Sequence, residues 1–194
     1  MSQDLATTGG TEVASVGSEH LDDFVTFVVG GQLFGIPVLW VQDILTPDNI
    51  APVPLAPPEV RGNINLRGRI VTVIDVRVRL GLETLDAVDA ANEAANEADG
   101  ETDSEKTPVT TKARKEMGVT VENKNDLYTL LVDDIGDVIS VEKDRFDGNV
   151  STLDPAWRDF SSGIYRLDDR LMVVFDVERL LEIELKKKVE QKTA

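Results

Sequence analysis

The chain contains no cysteine and a single histidine, His20. The first absence removes disulfides, thiolate metal sites and cysteine nucleophiles together. The second leaves no material for a Ser-His-Asp triad or a histidine-bound metal unless His20 itself is held in place. It is not expected to be, because Met1 to Asp22 mix Ser, Thr, Gly and acids without a period and read as a flexible tail. Aromatic residues make up only 5%, and 20 Lys and Arg against 36 Asp and Glu leave a formal charge of −16. Such a chain repels phosphate backbones and offers few surfaces on which bases can stack, which argues against an oligonucleotide-binding double barrel. No apolar run approaches the ~18 residues of a membrane span. The first residues carry neither a basic n-region nor an apolar h-region, so no leader is expected either. Walker, dinucleotide and calcium-loop spacings are all missing. Two acid pairs, Asp133-Asp134 and Asp168-Asp169, have the residue types for acid and base roles. Both sit at turns, where acids bend the chain by bonding their own backbone, and that simpler reading is preferred. No catalysis, cofactor or metal is expected.

What the sequence does have is a succession of short β patterns, enough for one domain or two small lobes. "FVTFVVGGQLFGIPV", from Phe24 to Val38, places Gly30-Gly31 between two apolar runs, as a tight primed hairpin requires. Five prolines between Pro47 and Pro58 then exclude a helix or a central strand. "GNINLRGRIVTVIDV", from Gly62 to Val76, is a second hairpin, and "DVRVRLGL" after it a short helix stopped at Gly81. From Glu83 to Glu105 there are nine acids and no base, more than half of the net charge. With alanine for most of its apolar content, this stretch offers no face to dock, so the insertion at about 83–116 is expected to be disordered. It reads as a solvated bristle or as a tolerated surface loop; lengthening a loop costs little closure entropy, which favours the second. The β pattern resumes at Met117 with two further hairpins and a closing helix, and 184–194 is expected to fray.

The chain repeats at about half its length. Laying Asp75 on Asp176 brings Gly62, Leu66, Arg69, Val73, Val76 and Leu80 onto Gly163, Leu167, Arg170, Val174, Val177 and Leu181. In the earlier hairpins Val25, Thr26, Leu33, Val38 and Asp43 fall on Val119, Thr120, Leu127, Val132 and Asp137. Two similar all-β lobes follow, each a small barrel that closes its edges. Asp75 and Asp176 open the short helices and are expected to cap them. Whether strands cross between lobes is not readable. One position resists a folding role: the repeat lays acids opposite Arg67, so the turn does not need arginine to form. Arginine is suited to bidentate recognition of a carboxylate and is enriched at binding hot spots, which makes Arg67 a candidate recognition residue.

Five blocks, "LWVQDI", Val53-Pro54, "GNINLRGRIVTVIDVRVRLGL", "LLVDDIGDVISV" and "RLMVVFDVERLL", occur in order over 23–183, interrupted by the insertion. In this the chain resembles the CheW family of chemotaxis coupling proteins. The resemblance implies two SH3-like five-stranded β-barrel lobes packed together, and a cytoplasmic adaptor without catalysis. Its partners would be the cytoplasmic tips of methyl-accepting chemoreceptors and the regulatory domain of a CheA-type histidine kinase, which shares the fold. It further implies a receptor-binding groove at Val41, Gln42, Asp43 and Ile44 with Arg67 and Gly68, and kinase contacts on an exposed hairpin including Tyr128, Leu130 and Val132. Asp43 is a shorter acid than the glutamate the resemblance leads one to expect. The same adaptor also serves pathways other than motility. No nucleic acid, no membrane insertion and a monomeric state are expected.

Overall fold

A computed structural model describes residues 21–98, 116–148, 151, 153–168 and 170–182. His20, the rest of the expected N-terminal tail, the later part of the insertion and the C-terminal tail lie outside them. In chain order the elements are β1 (Leu21–Val29), β2 (Gln32–Pro37), a single 3-10 turn at Val38–Trp40, β3 (Val41–Leu45), β4 (Val60–Leu66), β5 (Arg69–Asp75), α1 (Val76–Arg79) and α2 (Leu85–Ala98). The second half runs β6 (Met117–Asn123), β7 (Asp126–Val132), β8 (Asp134–Glu142), a 3-10 turn at Lys143–Arg145, β9 (Phe146–Asp147), α3 (Pro155–Arg158), β10 (Ser161–Arg166), β11 (Leu171–Phe175) and α4 (Val177–Leu181).

The strands form two sheets, β8-β1-β2-β11-β10-β9 in lobe 1 and β3-β6-β7-β5-β4 in lobe 2. The protein is all-β with short helices, in two SH3-like lobes. Neither lobe is one half of the chain. Hairpin β1–β2 joins the second half through antiparallel β1–β8 and parallel β2–β11, while β6–β7 joins the first half through β3–β6 and β5–β7. The two repeats have exchanged hairpins. Pairing of β1 includes Leu21, opposite Glu142, and Asp22, opposite Val141, so these two residues belong to β1 rather than to the expected tail.

Lobe 1 counts six strands rather than the expected five, and the repeat explains the difference. At the bulge on β10, Gly163 lets Phe146 and Asp147 pair with Tyr165 and Ile164 as β9. At the matching bulge on β4, Gly62 (φ 150°) admits Ala51, which makes a single bridge to Asn63. A Cβ on Gly62 would collide with the Ala51 carbonyl oxygen, and one on Gly163 with the Phe146 ring. The same close approach thus yields a short strand in one lobe and an isolated bridge in the other.

Three cores follow from strand alternation. Phe24, Val141, Tyr165, Met172 and Val174 form one lobe 1 cluster; Ile64, Val71, Val73 and Leu131 form one in lobe 2. The largest cluster takes residues from both lobes, with Phe27, Phe34 and Phe175 of lobe 1 against Ile74, Val121 and Leu130 of lobe 2. Phe34 and Phe175 stack there at 4.5 Å. Arg79 of α1 ties the helices across this seam, donating to the carbonyls of Leu180 (3.0 Å) and Glu182 (2.8 Å) at the end of α4. Its guanidinium lies 4.6 Å from the Phe160 ring centroid.

Both expected caps are present: Asp75 Oδ1 accepts from Val78 N and Asp176 Oδ1 from Arg179 N, each at 3.1 Å. The insertion departs from expectation over its first part. It begins as helix α2, with Thr84 Oγ1 accepting from Ala87 N at 3.3 Å. Leu85 is buried and Val88 half-buried, an i, i+3 pair that places one apolar face on the first turn despite the surrounding acids.

Candidate partner-binding site

The residues expected to face a receptor come together at one end of lobe 2. β4 and β5 are joined by the two-residue loop Arg67-Gly68, with φ 53° and 85°, so both residues are left-handed as in a type I′ turn. The Gly68 N–H donates to Asn65 Oδ1 at 2.8 Å and closes the turn locally. Glycine takes this conformation freely; arginine does so at a cost of roughly 1–2 kcal/mol. The Arg67 side chain is 80% exposed, and its guanidinium reaches Asp43 Oδ2 at 2.8 Å. Asp43 lies on β3, at the opposite edge of the sheet order from β4, so this contact links the two edges of lobe 2.

β3 pairs with β6 through a bulge between Val41 and Asp43, a device that redirects side chains. Val41 is half-buried against the core between the lobes, Gln42 is exposed and Asp43 half-buried, its Oδ1 accepting from Ile44 N at 2.9 Å. Ile44 is 42% exposed. Ile70, paired with Asn65 just beyond the Arg67 turn, is 80% exposed; an apolar residue beside a turn gives little signal in sequence and was not among the expected site residues.

The expected kinase-facing residues fare differently. Leu130 and Val132 are 0% and 2% exposed in the core between the lobes, and Tyr128 is half-buried against it. This corrects the expectation that they lie on an exposed hairpin. β7 is the central strand of its sheet, with Leu131 turned into the lobe 2 cluster and Leu130 into the seam. The nearly unbroken apolar run "LYTLLV" is the mark of a strand covered on both faces. Asp133 is structural, but through distant partners rather than its own backbone: Oδ2 accepts from Gly30 N at 2.8 Å and from Arg77 at 2.5 Å. Asp169 lies outside the described residues. Among the described residues no group of three or more His, Cys, Asp or Glu is placed to hold a metal.

The arrangement brings together an exposed cation on a tight turn, its acid partner and the part-exposed apolar Ile44. The profile of the CheW-like domain matches residues 23–184. The chain is 25% identical to the chemotaxis protein CheW of Klebsiella aerogenes over 93% of its own length and 91% of that protein's. It is 25% identical to the chemotaxis protein CheW of Helicobacter pylori, over 87% and 90% respectively. In three dimensions it resembles the scaffolding protein TtCheW from Thermoanaerobacter tengcongensis with a TM-score of 0.61 and 24% identity, covering 84% of this chain and 94% of that one. Two exchanged hairpin repeats under a profile that spans most of the sequence lead to one assignment, and the chain belongs to the family of CheW-like domains.

Proposed function

We propose that the chain is a scaffold without catalysis that couples the cytoplasmic tip of a chemoreceptor to the regulatory domain of a CheA-type histidine kinase, in the cytoplasm at membrane-associated receptor arrays. The observation that carries this reading is Arg67, an exposed arginine in left-handed backbone held at 2.8 Å by Asp43. An ion pair this exposed stabilises by about 1 kcal/mol at most, which does not exceed the backbone cost of placing arginine there. Strained exposed positions of this kind are used for recognition. A receptor tip is a helical hairpin; Ile44 and the partly exposed Val41 suit its apolar stripe, while Gln42 and the Arg67–Asp43 pair set register. Family membership and the names of the relatives point the same way. On the kinase side, Tyr128 alone of the three expected residues keeps partial exposure, and the contact is expected on the lobes' outer hairpins rather than on β7. Among the described residues no helix is long and apolar enough to cross a membrane.

The test is a pull-down of the full chain and its Arg67→Ala variant with a chemoreceptor cytoplasmic fragment and, separately, a CheA-type regulatory domain, with circular dichroism on both. The expected result is two folded proteins, of which the variant loses the receptor fragment and keeps the kinase domain. Equal capture of the receptor fragment by both would reduce Arg67 to a solvated turn residue. A wild-type chain that captures neither partner would sink the coupling role.

A further inference from the structure

The insertion leaves and re-enters lobe 2 at two places, and one side chain reaches both. Arg61 on β4 places its guanidinium 3.3 Å from Asp86 Oδ2, in the first turn of α2, and 3.5 Å from Glu116 Oε2, where the chain enters β6. It also lies 3.5 Å from Asp75 Oδ2. Arg77 holds the outgoing limb a second time, donating from Nε to the Glu83 carbonyl at 2.6 Å, and Leu85 is buried beside it in sequence. Three carboxylates therefore converge on one guanidinium. Asp75 is 1% exposed, and its Oδ2 has no hydrogen-bond partner beyond this ion pair; the Glu116 side chain is 19% exposed. Burial raises both carboxyl groups above their ordinary values. Asp75 is held back by its bonds to the Val78 and Arg77 backbone and by the charges of Arg61 and Arg77. Glu116 is held back by Arg61 and pushed further up by Asp75, Asp86 and Asp133. At the matching position of lobe 1 the repeat lays Ser162 on Arg61, and its hydroxyl donates to the Val174 carbonyl at 3.4 Å.

We infer that Arg61 is an electrostatic clasp, which ties the outgoing and returning limbs of the insertion to the end of β4 and so holds α2 in one orientation. Arg61 and Arg67 are six positions apart along β4 and its turn, roughly 20 Å at the rise of a strand. The clasp is thus at the far end of lobe 2 from the Arg67 turn, and the acidic helix starts there. Opening it frees α2 without disturbing either sheet. Because Asp75 and Glu116 take up protons more readily than exposed carboxylates, acid loosens the clasp before it titrates the general surface.

Hydrogen exchange on the full chain tests this directly. The probe is the Val88 N–H, which donates to the Thr84 carbonyl at 3.1 Å, read against the ladder amides of β1 and β2. Two variants are compared with wild type: Arg61→Met, and the double substitution Asp86→Asn with Glu116→Gln. The double variant removes both ion pairs between Arg61 and the insertion without leaving a buried charge unmatched, so it carries the test even if circular dichroism shows that Arg61→Met fails to fold. The expected result is a fall in Val88 protection of about tenfold or more in each folded variant, with β1 and β2 unchanged. An unprotected Val88 in wild type, full protection retained in a folded variant, or an equal loss of protection in β1 and β2 would each overturn the clasp.

Discussion

The β4–β5 turn of lobe 2 and the β10–β11 turn of lobe 1 occupy the same place in the repeat and carry opposite charge. In lobe 2 the turn is Arg67-Gly68, and its guanidinium reaches back to Asp43 on β3. In lobe 1 it is the longer loop from Leu167 to Arg170, where a fully exposed Asp168 lies 3.7 Å from Arg145. Elsewhere the lobes agree closely: an aspartate caps each short helix, a glycine opens each bulge, and a borrowed hairpin completes each sheet. Positions shared by both lobes are those that folding requires. Positions that differ, Arg67 and Arg61 foremost, are free to carry the work particular to one lobe.

The largest expected effect concerns the shared glycines. Gly62→Ala should lower stability by about 3 kcal/mol or prevent folding, since the new Cβ meets backbone oxygen and the residue holds positive φ. Gly163→Ala should cost less, because much of the clash is with the Phe146 ring, which is able to turn aside. Urea unfolding of the two variants ranks them, and the reverse order would break the proposed equivalence of the bulges.

An intermediate effect is expected at the caps. Asp75→Ala and Asp176→Ala should each cost about 1 kcal/mol, the usual loss of a capping oxygen. Asp75→Asn keeps that oxygen without the charge. Burial raises the Asp75 carboxyl in the folded protein above its ordinary 3.8, so the folded state binds this proton more tightly than the unfolded chain does. The stability contributed in this way is complete below pH 3.8 and is lost as pH rises through the raised value. Asp75→Asn should therefore gain on wild type with increasing pH over that window, and unfolding curves at several pH values would show a constant difference if the burial argument is wrong.

The smallest change in stability should accompany the largest change in binding. Arg67→Gly relieves left-handed strain and removes a weak exposed ion pair, so thermal unfolding should shift by less than about 1 kcal/mol, and upward. The same variant should lose the receptor fragment. Asp168→Ala, in the matching turn, should leave both the melting temperature and receptor binding where they are. Parallel effects of the two substitutions would erase the distinction between the turns.

Much of this molecule is legible from local pattern. Gly30-Gly31 and Arg67-Gly68 between apolar runs specify tight hairpins, because turn geometry is decided by neighbouring residues. Asp75 and Asp176 ahead of short apolar helices specify caps for the same reason. The repeat follows from these local signals recurring in order. The half-chain spacing even identified the turn at which the lobes diverge, and so singled out Arg67 as a candidate.

What only the tertiary structure decided depends on contacts between residues far apart in the chain. The hairpin exchange rests on the parallel pairs β2–β11 and β5–β7, whose registers no local turn specifies. It turns Leu130 and Val132 from expected surface contacts into the seam between the lobes, a fate that alternation alone does not distinguish from exposure. The partner of Arg67 is likewise a matter of closure, since Asp43 comes within reach only when the edges of lobe 2 meet. So is the clasp at Arg61: Asp75 lies across the β4–β5 hairpin, but Asp86 and Glu116 are brought to the same guanidinium only by the fold. Local sequence sets dihedral preferences and periodicity; which faces and charges meet is set by packing the finished elements together.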